Sequence, residues 1–400
     1  MDARLCAIYL AICIQYSKNS SNFLLFGMTD NPEISFSTRI RKSPFFDSTM
    51  KWGCKGFTVY NRMYMPTYYK SFVDDYWSLV NDVTLWDVAG EKQVEITGKD
   101  AEKFVEFITP RDISKCKIGQ CMYVLLTEKN GGIVNDPVLL KLAENHYWLS
   151  IADSDVLLWC LGITSSNNFD VQLCEPDVSP LSLQGPKAPD VMAKVSGDWI
   201  KDLNFFYFKE DIIQNIPVVI ARSGWSGEAG YEIYLRDGTK GNELWDIFME
   251  AGKDYKIAPA APSQINRIEH GMLSYGSDMT INENPYDISL GKFVNLDKKA
   301  DFLSRDALTL IKQKGITKQL VGVEIMEKTS DEFIRDHLPV YDDKKIIGKI
   351  TSSIYSPRLK KNIGLAILDK KKKNSKNLKL GYNNRSIGIK VSKLPFLRNK

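Results

Sequence analysis

The hydrophobic pattern of the chain changes near residue 316, and this change limits the folds open to it. Between Trp86 and Gly315, short apolar runs of strand length alternate with amphipathic helical segments, such as DAEKFVEFITP after KQVEITG. After Gly315 the segments KQLVGVEIM, NIGLAIL and SIGIKVSK have strand character and are separated by turns. The sequence therefore predicts an α+β body over residues 28–316, in two similar halves, and a β-barrel-like domain over residues 317–400.

The first 27 residues are a separate case. The run LCAIYLAICI is too short to cross a membrane, and Met28 opens a segment of ordinary composition. We expect residues 1–27 to be a disordered or mis-started extension. No other apolar run approaches the length of a membrane span, so we expect no membrane partner.

Charge and cysteine content narrow the class of protein. The net charge is only +4, and the lysine run from Asp369 to Lys379 is more typical of a solvated loop than of a nucleic-acid contact. The seven cysteines form no C-x-x-C pair, and the chain has only three histidines. These counts favour a reduced, cytoplasmic setting without a structural metal.

The stretch RSGWSGEAGYEIYL, from Arg222 to Leu235, carries a glycine at every third position. A phosphate-binding loop would lead into a helix, whereas these glycines lead into a strand, so a tight turn is favoured. The strand period of two places Glu232 and Tyr234 on one face. A carboxylate there can accept paired N–H groups from an aminopyrimidine edge. A solvent-exposed glutamate explains the pattern equally well.

Asp87 lies between apolar neighbours in TLWDVAGEKQVEITG, directly before a predicted strand. An aspartate at such a position often caps a turn, and composition alone favours that role. The alternative is a fixed carboxylate that stabilises a bound amine or cation.

Seven segments occur in the order seen in the folate-dependent aminomethyltransferase family, the glycine-cleavage T-protein. They are LWDV, NGGIVNDPVL, LSLQGPKAPDVM, RSGWSGEAGYEIYL, NRIEHGMLSYGSDM, SPRLKKNIGLAIL and VSKLPF. The resemblance runs from about Met50 to Phe396. It implies a T-protein-like fold of two similar α/β domains plus a C-terminal barrel around a central folate channel. It also implies an enzyme that uses tetrahydrofolate as co-substrate, with no metal and no flavin.

The resemblance assigns roles to several residues. Glu232 corresponds to the glutamate that grips the pterin, and Asp87 to the aspartate of the catalytic site, for which we predict a folate-orienting role. Tyr123 corresponds to the tyrosine that faces the folate, and Tyr207 is a further candidate for folate contact. Glu228, the other acid of the glycine-rich stretch, is predicted to be a turn residue only.

Three segments depart from the T-protein pattern. The block that usually has the sequence F-D-V-S-H-M is WDVAGE here, and Ser263 replaces an arginine that contacts folate. The P-x-E stretch is PYDI, from Pro285 to Ile288. These changes argue against an aminomethyl group carried on a lipoyl arm and favour a small, carrier-free substrate.

The altered segments are most similar to the dimethylsulfoniopropionate demethylase branch of the family. This resemblance implies transfer of an S-methyl group from a sulfonium to N5 of tetrahydrofolate, giving 5-methyltetrahydrofolate and methylmercaptopropionate. Such a displacement needs alignment and exclusion of water, and aromatic faces suit the cation. The candidate catalytic residues are Asp87 and Tyr234. The candidate substrate contacts are Asn61, Arg62, Met63, Tyr123, Trp199, Tyr234 and Ser274.

Some alternatives stay open. The hydroxyl of Ser274 serves a substrate carboxylate or a helix end equally well. The rival functions are a glycine-cleavage aminomethyltransferase, a non-catalytic folate-binding relative, and the folate domain of a sarcosine-oxidising system. We expect the sulfonium substrate and tetrahydrofolate as partners and no nucleic acid. The oligomeric state is open, with a homodimer as one option.

Overall fold

The computed structural model describes residues 36–327, 337–382 and 385–397. The predicted extension over residues 1–27 therefore lies outside the described residues. Contacts divide the chain into units at residues 1–38 and 39–400, and the account below concerns the second. Among the described helices, none is long and apolar enough to cross a membrane.

The helices are short and lie mostly in the first three quarters of the chain. Their bounds are α1 Phe46–Lys51, α2 Phe72–Asn81, α3 Ala101–Ile108, α4 Val156–Ser166, α5 Ala188–Ser196, α6 Gly241–Ala251, α7 Gln264–Glu269 and α8 Arg305–Lys314.

A six-stranded sheet forms the larger half of the body. In spatial order its strands are β12 Phe208–Ile213, β13 Ile216–Ala221, β14 Gly230–Leu235, β11 Ser179–Gln184, β3 Val83–Asp87 and β15 Ile257–Ala260. All neighbours are antiparallel except β15 and β3. One face packs on α5 and α6 through a core that includes Leu181, Ile233, Trp245 and Phe248.

A five-stranded antiparallel sheet forms the other half. Its spatial order is β10 Gln172–Cys174, β4 Gln93–Thr97, β9 His146–Ser150, β8 Val138–Ala143 and β5 Gln120–Tyr123. Its core includes Phe104 of α3 and Cys160 of α4. A smaller cluster, with Trp148 and Tyr234, joins residues of both sheets. The site described below is built where these two halves meet.

Two hairpins complete the body, and a barrel follows it. The hairpins pair β1 Gly56–Tyr60 with β2 Met63–Tyr68, and β6 Leu126–Thr127 with β7 Ile133–Asn135. The barrel is closed in the order β16 Lys318–Ile325, β19 Lys361–Asp369, β18 Lys345–Ser356, β17 Leu338–Asp342, β20 Leu378–Tyr382 and β21 Arg385–Ser392. The predicted fold class, an α+β body with a C-terminal barrel, is confirmed.

Some local predictions were wrong. Residues 119–152 were expected to give three strands, and they give β5 to β9 instead. One of the additional breaks falls at Pro137, which has no N–H to continue a ladder and separates β7 from β8. The helix expected over residues 262–273 ends at Glu269, because Gly271 adopts φ +67° and stops the helical path.

Asp100 precedes α3 as predicted, but its side chain does not cap that helix. Its carboxylate instead accepts a hydrogen bond from the backbone N–H of Asp170, at 2.9 Å. The sequence pattern located the start of the helix correctly, whereas the partner of the carboxylate comes from a distant segment.

Candidate functional site

A cavity of about 810 Å³ opens between the two halves of the body. Its walls combine aromatic rings with carboxyl groups. The lining includes Tyr60, Phe72, Glu91, Tyr123, Asp136, Asp153, Phe205, Phe206, Trp225, Glu232, Ser274, Tyr275 and Phe293. A cavity of this size and character is typical of small-molecule sites.

The glycine-rich stretch forms one corner of the cavity. Gly224 and Gly230 flank the side-chain amide of Gln184, and a Cβ at either glycine would come within 2.2 Å of that amide. Gln184 Nε2 donates to Ser182 Oγ at 2.9 Å, and its Oε1 accepts from Ser226 Oγ at 2.6 Å. These two glycines therefore make room for a buried side chain, which excludes the phosphate-loop interpretation.

Glu232 leaves this corner with its carboxyl group directed at the cavity. Ser223 Oγ donates to Glu232 Oε2 at 2.5 Å, and Tyr234 OH donates to the same oxygen at 3.2 Å. Within the described residues Oε1 receives no hydrogen bond, although the residue is only 8% exposed. Burial raises the pKa of Glu232 against the opposing effect of the two hydrogen bonds. The free oxygen is placed to accept N–H groups of a ligand.

Tyr123 and Asp136 form a second polar feature of the lining. Tyr123 OH donates to Asp136 Oδ2 at 2.9 Å, and the Tyr123 ring lies edge-on to Phe293 at 5.3 Å between centroids. Burial raises the pKa of Asp136 to about 7, despite that hydrogen bond. Sequence reasoning did not single out Asp136. Its only signal was its place in the segment NGGIVNDPVL.

Glu91 is a third acid of the lining that sequence reasoning missed as a site residue. Its carboxylate makes no hydrogen bond to any side chain or backbone group of the described ranges, and it faces the cavity. Burial, together with the charges of Glu232 and Asp136, raises the pKa of Glu91 to about 8. The available signal was the replacement of the family sequence F-D-V-S-H-M by WDVAGE.

The hairpin of β1 and β2 closes over this acid. Its turn residues Asn61 and Arg62 have φ values of 48° and 60°, and Asn61 Nδ2 donates to the carbonyls of Gly90 and Ala152 at 2.9 and 3.1 Å. The backbone N–H of Asn61 donates to Asp153 Oδ1 at 2.8 Å. Asn61 thus holds the hairpin in place, and the adjacent Tyr60 lines the cavity.

The structure separates the remaining predicted residues into two groups. Ser274 lies in the cavity lining, as Tyr123 and Glu232 do. Those outside the lining are Asn61, Arg62, Met63, Asp87, Trp199, Tyr207 and Tyr234. Their functional roles therefore stay predictions.

Most residues of the second group have partners elsewhere. Arg62 pairs with Asp155 at 3.2 Å on the surface, and Met63 is buried in the core. Trp199 packs against that core with Lys209 Nζ 4.6 Å from its ring centroid. Tyr207 bridges to Gln120 where the two sheets adjoin.

Asp87 and Tyr234 are fully buried behind the lining. Asp87 Oδ2 accepts from Ser43 Oγ at 2.5 Å, and Oδ1 accepts from the backbone N–H of Ala89 at 3.1 Å. Burial raises the pKa of Asp87 to about 6. The Tyr234 ring packs 6.1 Å from that of Trp148. Each residue reaches the cavity through a neighbour: Asp87 through the segment that carries Glu91, and Tyr234 through Glu232.

The charge of the lining is one-sided. Over the part of the chain that the structure describes, no lysine, arginine or histidine lies in the lining, whereas four acids do. No group of three or more His, Cys, Asp or Glu in that part is arranged to hold a metal ion. Aromatic faces and unpaired carboxylates together favour a ligand that is cationic or rich in N–H groups.

Two family models match the chain. The GCVT N-terminal domain matches residues 45–298, and the glycine cleavage T-protein C-terminal barrel domain matches residues 318–397. The chain therefore belongs to the glycine-cleavage T-protein family, and it is a folate-dependent enzyme of one-carbon transfer.

Individual relatives agree with this assignment. The chain is 40% identical over 334 residues to dimethylsulfoniopropionate demethylase DmdA of Ruegeria pomeroyi, covering 84% of this chain and 91% of the relative. It is 30% identical to an aminomethyltransferase of Caldanaerobacter subterraneus, covering 83% and 89% of the two chains. The glycine cleavage system aminomethyltransferase T of Bartonella henselae superposes with a TM-score of 0.80 at 24% identity, covering 90% and 98%, and so shares the fold.

Proposed function

We propose that this protein is a tetrahydrofolate-dependent dimethylsulfoniopropionate demethylase. The observation that carries the proposal is the charge of the cavity, in which Glu91, Asp136 and Glu232 face an aromatic space without a basic lining residue among those described. A sulfonium is a cation that aromatic faces and carboxylates stabilise. The similarity to the demethylase of Ruegeria pomeroyi supports the same substrate.

The residues at the corner fit the folate that the family uses. Glu232 is almost wholly buried and has one oxygen free toward the cavity, as a hook for the amino-pyrimidine edge of a pterin requires. Ser223 and Tyr234 hold the other oxygen and so orient the carboxylate before a ligand arrives. Tyr123 offers a ring face beside it, fixed by its bond to Asp136.

Bound tetrahydrofolate supplies N5, to which the methyl group passes while the sulfur keeps the electron pair of the broken S–C bond and the N5 proton is released. The protein contributes alignment and a dry cavity. The rings of Tyr60, Phe205 and Trp225 exclude water. Ser274 is proposed to donate to the substrate carboxylate, since no basic lining residue of the described chain offers itself for that task.

Aminomethyl transfer is the second candidate, because several relatives 29–32% identical to the chain are named aminomethyltransferases. Ser263 argues against it. Where the family has a folate-contacting arginine, Ser263 caps α7 by accepting from the N–H of Asn266 at 3.3 Å. The proposal also includes a cytoplasmic location, which the free cysteines among the described residues support.

One assay tests the proposal. The protein is incubated anaerobically with tetrahydrofolate and dimethylsulfoniopropionate, and 5-methyltetrahydrofolate and methylmercaptopropionate are measured by chromatography. We expect both products in equal amounts. Absence of both, together with activity on an aminomethyl-lipoyl carrier protein, would replace this function with aminomethyl transfer.

A further inference from the structure

We propose that Glu91 is the residue that selects a cationic methyl donor over a neutral compound of the same shape. The inference rests on the proposed function, because it concerns the donor of that reaction. Its starting point is the isolation of the Glu91 carboxylate, which lines the cavity and makes no hydrogen bond within the described residues.

The other acids of the lining have partners in the protein. Glu232 is held by Ser223 and Tyr234, and Asp136 by Tyr123. Asp153 accepts the backbone N–H of Asn61. Glu91 is therefore the lining acid whose carboxylate is left wholly to a ligand, and a buried charge without a partner is costly unless a ligand supplies one.

The surroundings of Glu91 sharpen this need. Glu232 and Asp136 lie close enough for their charges to oppose ionisation of Glu91, and burial acts in the same direction. A cation entering this space interacts favourably with all three groups, and it favours the charged form of Glu91. A neutral ligand of the same shape leaves the repulsion in place.

The local sequence supports the same role. Gly90, beside Glu91, lies so close to the hairpin that an added Cβ would be 3.2 Å from Tyr60. The dipeptide that replaces His-Met of the family block thus does two things. Gly90 admits the hairpin that carries Tyr60, and Glu91 adds a charge between that hairpin and Glu232.

The test compares two ligands of nearly the same shape. Dimethylsulfoniopropionate carries a positive sulfur where 4-methylpentanoate carries a neutral CH group. Calorimetry measures the affinity of each for the full-length protein at pH 6.5 and pH 8.5. We expect the wild-type protein to prefer the sulfonium, and the preference to grow between these pH values as Glu91 loses its proton. Tyr60, Asp136, Asp153 and Glu232 also face this space, so part of the pH dependence belongs to Asp136 and Glu232.

Glu91→Gln keeps the shape of the side chain and removes its charge. We expect it to weaken sulfonium binding at pH 8.5 by roughly tenfold or more, on the scale of one partly buried charge pair, with 4-methylpentanoate bound as well as before. Glu91→Met places the residue of the family block at this position and should behave alike. Glu243→Gln, the same change on the exposed side of α6, is the matched control and should change neither affinity.

Three results would overturn the inference. They are an unchanged sulfonium preference in Glu91→Gln, an equal loss of both ligands in both variants, and a wild-type protein that does not distinguish the ligands. Any of these can occur while the wild-type enzyme still forms 5-methyltetrahydrofolate from the sulfonium, and in that case the proposed function stands. Selective binding of the cation through Glu91 without methyl transfer would sink the function and leave this inference in place.

Discussion

At the scale of single residues, the site depends on how few partners its carboxylates have. Glu232 shares one oxygen with Ser223 and Tyr234 and presents the other to the cavity. Asp87 has both oxygens engaged, one by Ser43 and one by Ala89. The first arrangement suits a ligand contact, whereas the second suits a residue that fixes the backbone leading to Glu91.

Glu232→Gln tests the ligand contact. The amide keeps the shape of the side chain but offers one acceptor oxygen in place of two and carries no charge. We expect the free energy of tetrahydrofolate binding to weaken by about 1.5–3 kcal/mol, the value of a hydrogen bond to a charged group. Calorimetry with the folate alone measures it, and an affinity equal to that of the wild type would count against the hook.

Asp87→Asn tests the buried carboxyl through its pH dependence. An acid whose pKa is raised by folding stabilises the protein below its unfolded pKa, and this contribution is lost as pH rises through the folded pKa of about 6. Asparagine does not titrate. The free energy of unfolding of the wild type should therefore fall relative to the variant by about 2 kcal/mol between pH 4 and pH 7. Parallel urea titrations at the two pH values measure this, and parallel curves would contradict the assignment.

The same variant bears on the predicted folate-orienting role of Asp87. If Asp87 acts through the segment that carries Glu91, Asp87→Asn should lower folate affinity or methyl transfer as well as change the pH profile. Full retention of both activities would end the predicted role and leave Asp87 a structural residue.

At the scale of elements, Arg358 ties the barrel to the glycine-rich corner. It lies in the turn after β18, where its guanidinium pairs with Glu269 at 2.7 Å and with Glu228 at 3.4 Å. Glu269, at the end of α7, is fully buried and also accepts from Tyr76 and Ser356. Glu228 was predicted to be a turn residue only. The structure corrects this prediction, because Glu228 pairs with the barrel as well.

Arg358→Met should therefore destabilise the protein strongly. It leaves the buried carboxylate of Glu269 without its cation, at a cost of about 3 kcal/mol. Glu228→Gln removes only the longer, half-exposed pair and should cost less than about 1 kcal/mol. Denaturant unfolding of both variants measures the difference, and similar losses would show that the two pairs are equivalent.

At the scale of the whole molecule, the cavity stores electrostatic repulsion. The pKa of Asp136 is raised to about 7 and that of Glu91 to about 8, against reference values near 4 for unfolded chains. Raised acids favour the folded state only while they are protonated. The ligand-free protein should thus lose stability as pH rises from about 5 to 8.5.

A cationic ligand should reverse this trend, because it binds the charged acids. Thermal melts at several pH values, with and without dimethylsulfoniopropionate, measure the effect. We expect the increase in Tm on adding the ligand to be larger at pH 8.5 than at pH 6. A ligand-free Tm that does not change across this range would contradict the charge balance proposed for the cavity.

Much of the architecture could be predicted from local patterns. The closed barrel follows from strands and turns after Gly315, and the place of the glycine-rich corner from its neighbouring strands. Local errors arose where one residue changed the path, as Pro137 and Gly271 do. The site was predicted in part, because resemblance indicated Glu232, Tyr123 and Ser274 but not Asp136 or Glu91.

The sequence by itself determined which face of β14 carries Glu232 and Tyr234, because side chains alternate along any strand wherever it lies. Only the tertiary structure decided that Glu91, Asp136 and Glu232 share one cavity, since they come from segments far apart in the chain. Their raised pKa values arise from burial and from charges acting through space. No local pattern contains these effects, because they exist only once the two sheets and the first hairpin have packed together.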